Sequence, residues 1–153
     1  MTEPSRADDL PRSCHIAVLV AEVLEWLGLR PGGTAVDGTV GGGGHSARIL
    51  EKLGPSGRLF GLDRDARMLE RAATVLDHPG CSLHQASYSD LDEVLRAAGQ
   101  SAGSIDGILL DLGLSSDQLQ DSNRGFGFAH DGPLDLRFDV SSGQPAWEWL
   151  AGV

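Results

Sequence analysis

Three aspartates and one glycine-rich loop are the groups in this sequence best placed to do chemistry. Asp37, Asp63 and Asp111 each follow a short apolar run, and five glycines fall within positions 38–44, directly after Asp37. Glycine lets the backbone adopt positive φ and approach a ligand closely, while the start of the following helix offers N–H groups without partners. The loop is therefore predicted to hold a ligand.

Three interpretations of the glycine loop are open. It could be a flexible linker, although linkers rarely stand between a strand signal and a helix signal. It could bind a dinucleotide, but the fingerprint G-x-G-x-x-G is not met, because its last glycine would fall on Ser46, Ala47 or Arg48. A strand-ending acid such as Asp37 followed by a glycine loop also suits S-adenosylmethionine, whose charged amine and sulfonium need backbone contacts and an anionic environment.

Composition narrows the class of protein. A chain of 153 residues with 41% hydrophobic residues predicts one domain with a real core. Its net charge of −10 argues against coating nucleic acid by bulk electrostatics, although a local basic groove stays possible. Cys14 and Cys81 form no C-x-x-C pair, which predicts free thiols, a reducing compartment and no metal site. No apolar run approaches membrane length, so a soluble, cytoplasmic protein without a membrane partner is expected.

The elements that must position these groups alternate along the chain. Apolar spacing predicts helices near 16–27, 45–53, 65–76 and 91–98, and strands at Thr34–Asp37, Arg58–Asp63, Ser82–Ala86 and Ile105–Leu112. This order predicts an α/β fold with a parallel sheet and helices on both faces. The continuous apolar core of the fourth strand, 108–110, is typical of a strand covered on both faces.

A parallel sheet would bring the three aspartates together. Ligands bind beyond the carboxyl ends of the strands, at the point where strand order reverses, so Asp37, Asp63 and Asp111 are predicted to line one crevice. Asp63 lies 19 positions after Gly44, near the spacing of about 20 at which an acid binds ribose hydroxyls. The alternative for Asp63 is a solvated loop acid.

The segment 111–139 has neither helical nor strand periodicity and is rich in Gly, Asp, Arg and aromatic residues. Such a long irregular segment is usually functional or disordered, and its large apolar residues favour function. Phe126 and Phe128, with Arg124 and Arg137, could stack on a base and contact phosphates. A loop that is merely packed down by its two phenylalanines is the alternative.

The motifs together resemble those of the RsmH/MraW family, from about His15 to Leu150. They are VDGT (36–39), GGGGHS (41–46), LDRD (62–65), DGILLDLGLSS-x-QL (106–119), RGF (124–126) and DGPLDLR (131–137). This family methylates N4 of a cytosine in 16S ribosomal RNA with S-adenosylmethionine. The resemblance implies a Rossmann-like methyltransferase fold, an RNA partner in the small ribosomal subunit and no DNA partner.

The resemblance also implies the roles of individual residues. Cofactor-binding residues would be Gly43, Gly44, His45, Asp63, Tyr88, Asp111 and Gln118. The chemistry of the side chains, rather than the resemblance, makes Ser115, Ser116, Arg124, Phe126 and Arg137 the substrate-binding candidates. An acceptor at Asp111, or in the adjoining Ser115–Ser116 loop, could hydrogen-bond the cytosine amine and orient its lone pair, and Asp111 is the catalytic candidate.

Four positions depart from the family pattern: Tyr88 replaces a common Phe, Asp117 a Pro, Gly127 a Ser and Phe138 a Met. Family members also continue for about as many residues again. We therefore expect a disordered tail at 1–14, a partial methyltransferase core of four strands at 15–113, and a motif loop with the start of a truncated substrate-recognition insert at 114–153.

Truncation would leave the fourth strand as an exposed apolar edge, which predicts possible self-association. Two further functions stay open at this point. One is a truncated cofactor-binding fragment without catalytic activity, and the other is a nicotinamide-dependent oxidoreductase.

Overall fold

The structure, a computed structural model, describes residues 17–153. The predicted tail at 1–14, Cys14 and the predicted helical residue Ile16 lie outside the described residues. In chain order the elements are α1 (Val20–Leu27), β1 (Thr34–Asp37), α2 (Gly44–Leu53), β2 (Arg58–Asp63), α3 (Ala66–Val75), β3 (Cys81–Gln85), α4 (Leu91–Ala97), β4 (Gly107–Leu109), α5 (Ser116–Gln120) and α6 (Ala146–Ala151).

The strands form one parallel sheet in the order β3-β2-β1-β4. Central β1 pairs with β2 on one side and β4 on the other, so that Val36 lies opposite both Phe60 and Ile108. The strand order reverses between β1 and β4, which creates the crevice expected of such sheets. This topology confirms the predicted Rossmann-like α/β fold and the edge position of the fourth strand.

Side chains alternate between two apolar layers, one on each face of the sheet. Ala35 and Leu59 pack with α1, α2 and α3, in a cluster that includes Ile49. Val36 and Phe60, their neighbours in sequence, pack with α4 on the other face. This period of two follows from strand geometry and confirms that helices cover both faces of the sheet. Within residues 17–153, no helix is both long and apolar enough to cross a lipid bilayer.

The structure corrects the prediction for the fourth strand. β4 is only Gly107–Leu109 rather than Ile105–Leu112, and its apolar core is not covered on both faces. Ile108 and Leu110 are 49% and 45% exposed. The reason is that β4 has a strand neighbour on one side only among the described residues, and the chain leaves the sheet after Leu109.

The segment predicted to lack periodicity contains α5. This helix begins with a capping box, in which the Ser115 hydroxyl accepts the Gln118 N–H and the Gln118 side chain accepts the Ser115 N–H. The S-x-x-Q spacing at 115–118 is the local signal for such a box, and it is independent of apolar periodicity.

On β3, Cys81 is a free, half-buried thiol, and burial raises its pKa.

Substitution of Gly61 tests the packing of β2. A Cβ at this position would lie 2.6 Å from Val40 Cγ2 and 2.7 Å from Leu83 Cδ2. We expect Gly61→Ala to lower the free energy of unfolding by about 1–3 kcal/mol through overpacking, as measured by urea denaturation. Gly152→Ala is the control, since its nearest neighbour would be 3.6 Å away. Equal stability of the two variants would contradict this account of the sheet.

Candidate functional site

A cavity of about 470 Å³ opens beyond the carboxyl ends of β1, β2 and β4. Its walls come from the loop after β1, the start of α2, the end of β2, the 3-10 turn Tyr88–Asp90, the chain after β4, and α5. The lining residues used below are Val18, Thr39, Gly41, Gly44, His45, Asp63, Arg64, Tyr88, Asp111, Ser115, Gln118 and Phe138. Six of the seven predicted cofactor residues are therefore brought to one cavity.

Asp37 supports the cavity from behind and does not line it, which corrects the prediction of three aspartates in one crevice. It is 1% exposed, and its Oδ2 accepts a hydrogen bond of 2.7 Å from Ser46 Oγ in α2. Its Oδ1 accepts the Thr39 N–H at 3.1 Å. Burial raises the pKa of Asp37, while the Ser46 and Thr39 donors oppose that rise. Asp37 therefore ties β1 to the glycine loop and to the first turn of α2.

Asp63 lies at the cavity wall with both oxygens already hydrogen-bonded on one side. Oδ2 accepts the Gly41 N–H at 2.8 Å and Oδ1 accepts the Asp65 N–H at 2.9 Å. Burial raises the pKa of Asp63 against the lowering effect of these N–H donors. Because a carboxylate offers about four lone-pair positions, each oxygen keeps acceptor capacity toward a ligand hydroxyl in the cavity.

His45 and Asp111 face each other across the cavity wall. His45 Nε2 lies 2.9 Å from the Val18 carbonyl oxygen, so this nitrogen must carry a proton. His45 Nδ1 lies 3.6 Å from Asp111 Oδ2, a contact that becomes an ion pair when the ring is protonated. The Asp111 N–H donates to Thr39 Oγ1 at 2.7 Å, which fixes the backbone while the side chain stays half-exposed. Asp111 thus presents a carboxylate to a ligand.

Gln118 lines the cavity, and most of the hydrogen-bonding capacity of its side-chain amide is used within the protein. Its Oε1 accepts the Ser115 N–H, and its Nε2 donates to Asp65 Oδ2 at 3.0 Å. One amide hydrogen of Nε2 is left for a ligand. Asp65 also caps α3 by accepting the Arg67 N–H, so Gln118 connects α5 to the start of α3.

Gly43 is the predicted cofactor residue that does not line the cavity. It precedes α2 with a φ of +87°, which favours glycine. A Cβ at this position would lie 3.3 Å from Leu76 Cγ and 3.4 Å from Ala72 Cα, on the α3 side of the core. Gly43 therefore shapes the turn into α2, and its direct contact with cofactor stays a prediction.

Of the predicted RNA-binding residues, some lie at the cavity and others make contacts elsewhere within the chain. Ser115 lines the cavity, and Ser116 begins α5 beside it. Phe126 packs on Phe138, with ring centroids 5.3 Å apart. Arg137 forms an ion pair of 2.7 Å with Asp135. These contacts are within the chain, so RNA binding by these residues stays a prediction.

Arg124 requires a correction. It is 4% exposed, and its guanidinium forms a 2.9 Å ion pair with Asp65. A side chain enclosed in this way has no surface for RNA phosphates. The sequence could not distinguish the two roles, because an arginine beside Gly and Phe is compatible with either a buried ion pair or a phosphate contact.

Several lining residues were not predicted as site residues, and Arg64, Thr39 and Phe138 are among them. Arg64 directly follows Asp63, Thr39 Oγ1 accepts the Asp111 N–H, and Phe138 forms part of the cavity wall. A hydroxyl two positions after a strand-ending acid was the available signal for Thr39. No local signal placed Phe138, which lies 20 positions beyond Gln118 in the sequence.

Known proteins are similar in sequence to almost the whole of this chain. The profile of the MraW methylase family matches residues 12–153. The chain is 47% identical over 139 residues to the ribosomal RNA small subunit methyltransferase H of Alteromonas mediterranea. It is 51% identical over 138 residues to that of Trichlorobacter lovleyi. The chain belongs to the MraW methylase family.

Membership in the MraW family confirms the resemblance drawn from the motifs, and with it S-adenosylmethionine as the cofactor to be accommodated. The matches cover 91% and 89% of this chain but 44% of each relative, so the chain spans less than half the length of these relatives. Among solved structures, an S-adenosylmethionine-dependent O-methyltransferase from Thermotoga maritima has a TM-score of 0.46, with 18% identity over 57% of this chain and 36% of that one.

Removal of the Ser46 hydroxyl tests the support behind the cavity. We expect Ser46→Ala to lower the free energy of unfolding by about 1.5–3 kcal/mol at neutral pH, because a buried carboxylate loses a donor. Urea denaturation would measure this, with the exposed Ser89→Ala as the control.

The loss should also depend on pH. The Ser46 donor stabilises ionised Asp37, so its removal raises the pKa of Asp37 further above the ordinary 3.8. The stability difference between the two proteins should therefore shrink as the pH falls from the pKa of Asp37 in the folded variant through the lower pKa of Asp37 in the folded unchanged protein. A difference independent of pH would contradict the assignment of Asp37 as the partner that matters.

Proposed function

We propose that this chain forms the S-adenosylmethionine-binding part of an enzyme that methylates N4 of a cytosine in 16S ribosomal RNA. The observation that carries the proposal is the cavity beyond the carboxyl ends of the strands, which collects six of the seven residues that the family resemblance assigns to the cofactor. The RNA substrate is proposed because the relatives are named ribosomal RNA small subunit methyltransferase H.

The residues of the cavity fit this cofactor. A volume of about 470 Å³ lies within the usual range for small-molecule sites, about 300–1,000 Å³. Asp63 has acceptor capacity for ribose hydroxyls, and the half-exposed Tyr88 offers an aromatic face for adenine. The carboxylate of Asp111 and the backbone of the glycine loop suit the charged amino-acid end. When bound, the cofactor supplies an electrophilic methyl group on a positively charged sulfur.

The chain's own contribution to the reaction would be made by Asp111. The exocyclic amine of cytosine is a weak nucleophile, because its lone pair is delocalised into the ring. A carboxylate that accepts one amine N–H orients the remaining lone pair and can take up the proton that is lost. Asp111 is suited to this because its backbone is held by Thr39 while its side chain faces the cavity.

A cofactor-binding module without RNA methylation of its own is the second candidate. Large apolar side chains that are exposed around β4 and α6 favour it, since they leave surfaces that a further polypeptide could cover. They include Ile108, Leu112, Trp147, Trp149 and Leu150. Self-association through β4, the division of the chain at 113 and 114, and a cytoplasmic location stay predictions.

A calorimetric titration of the 153-residue chain with S-adenosylmethionine, using NADH as control ligand, tests the proposal. Saturable binding of S-adenosylmethionine without NADH binding is expected. The absence of heat in a sample shown to be folded would overturn the proposal, and preferential binding of NADH would indicate the oxidoreductase instead. Binding without transfer to RNA would favour the second candidate.

Asp63→Asn should weaken binding of S-adenosylmethionine by about tenfold or more, because a buried polar contact to a charged acceptor is lost. Asn has one acceptor oxygen, which cannot serve both the Gly41 and Asp65 N–H groups and a ribose hydroxyl. In the unchanged protein, affinity should fall as the pH drops through the raised pKa of Asp63, since the protonated carboxyl accepts fewer hydrogen bonds.

The matched control is Asp92→Asn, which removes an exposed carboxylate that is paired with Arg96 on α4. It should leave the affinity unchanged. Equal affinities of the Asp63 variant, the control and the unchanged protein would show that Asp63 does not contact the cofactor.

The Asn substitution equivalent to Asp111→Asn, made in a full-length relative, tests the catalytic role. We expect methyl transfer to small-subunit RNA to fall by about 100-fold or more, since the amide cannot take up a proton. Single-turnover transfer of radiolabelled methyl groups would measure the rate of transfer. Equilibrium binding of S-adenosylmethionine to the same variant would show whether a slower transfer is caused by weaker cofactor binding. Turnover close to that of the unchanged enzyme would contradict the catalytic role of Asp111.

A further inference from the structure

We propose that Arg124 is a positioning residue of the cofactor cavity, which holds Gln118 and Phe138 in its wall through a buried ion pair with Asp65. This role differs from the RNA contact that the sequence suggested. Its consequence for ligand affinity rests on the proposed function, whereas its consequence for the position of α5 does not.

A single nitrogen of Arg124, Nη2, makes three hydrogen bonds of this side chain. Nη2 lies 2.9 Å from Asp65 Oδ2, 3.0 Å from the Arg137 carbonyl oxygen and 2.8 Å from the Phe138 carbonyl oxygen. The side chain therefore joins the turn between β2 and α3 to the backbone at 137–138. Phe138 lines the cavity, so its carbonyl contact transmits the position of Arg124 to the wall.

Asp65 extends this connection to two predicted cofactor residues. Its Oδ2 also accepts Gln118 Nε2 at 3.0 Å, and its backbone N–H donates to Asp63 Oδ1 at 2.9 Å. Asp65 is 2% exposed. A carboxylate buried to this extent depends on its positive partner, because an uncompensated charge in the interior is strongly unfavourable.

Aromatic packing and further ion pairs surround the Arg124–Asp65 pair. The Arg124 Cζ lies 5.7 Å from the centre of the Phe126 ring, which in turn packs on Phe138. Two more ion pairs, Arg71 with Asp117 and Arg67 with Asp121, connect α3 to α5 and the residue after it, each at 2.8 Å. These pairs hold α5 against α3, whereas Arg124 also contacts residues 137–138.

The test compares three variants with a matched control. Arg124→Met keeps much of the side-chain volume and removes the charge. Arg124→Lys keeps the charge, and its ammonium has three N–H donors for the three oxygens that surround Nη2. The double variant Asp65→Asn with Arg124→Met removes the pair without leaving a buried charge. Arg96→Met, at an exposed arginine of α4, is the control.

Two measurements are made on each variant, alongside its urea unfolding midpoint. Rapid hydrogen exchange reports on the amides of Gln118, Leu119 and Asp121, which are hydrogen-bonded within α5 and its caps. Calorimetry reports the affinity for S-adenosylmethionine. We expect Arg124→Met to speed exchange at α5 with no change in α2, and to weaken binding by about tenfold. Arg124→Lys should recover part of both losses.

The double variant separates positioning from stability. Its unfolding midpoint should lie above that of Arg124→Met, yet its α5 exchange should stay fast and its affinity weak. Exchange at α5 that is unchanged in Arg124→Met, no recovery with lysine, or affinities that follow the unfolding midpoints across all variants would overturn the inference. If the unchanged protein binds no S-adenosylmethionine, the proposed function fails, and the exchange data alone still decide whether Arg124 positions α5.

Discussion

Buried carboxylates at the ends of the parallel strands are the constraint on which the rest of this structure depends. Asp37 ends β1 inside the protein, where it cannot be left without donors. The Ser46 hydroxyl and the Thr39 N–H satisfy it, and so bring the first turn of α2 and the glycine loop to the end of β1. Asp63 acts in the same way on the other side of the loop by accepting the Gly41 N–H. The conformation of the loop is thus determined by acids that flank it.

The same requirement organises the irregular segment after β4. Two of its polar residues are buried, since Gln118 and Arg124 both bind Asp65, and a third, Arg137, is paired with Asp135. A chain with a net charge of −10 therefore uses several of its arginines to compensate its own buried or partly buried acids. The cavity keeps the acceptors of Asp63 and Asp111 and the ring of Tyr88, beside the exposed Arg64, and these acceptors suit a positively charged group of a small molecule.

Much of the fold could be predicted because its signals are local. The alternation of apolar runs with helical periods predicted every strand and the parallel sheet, and the motif at 36–46 predicted the loop beside the cavity. The errors arose where the outcome depended on distant residues. The apolar run 108–110 is compatible with a covered strand or with an exposed edge, and only the position of β4 beside β1 distinguishes them. The capping box of α5 was a local signal that periodicity could not detect.

The sequence by itself predicted the family, the order of the four strands with the helices between them, and six of the residues that line the cavity, because each depends on residue types at short, fixed spacings. Only the tertiary structure decided which polar groups face the cavity and which are consumed inside. Asp37 and Arg124 are two residues whose placement differed from the prediction. Asp37 turns toward donors nearby in the chain, Thr39 and Ser46, whereas Arg124 meets its partner only through folding. Arg124 is 59 positions from Asp65 in the chain and 2.9 Å from it in space. Burial of a charge depends on that partner, and no local pattern specifies it.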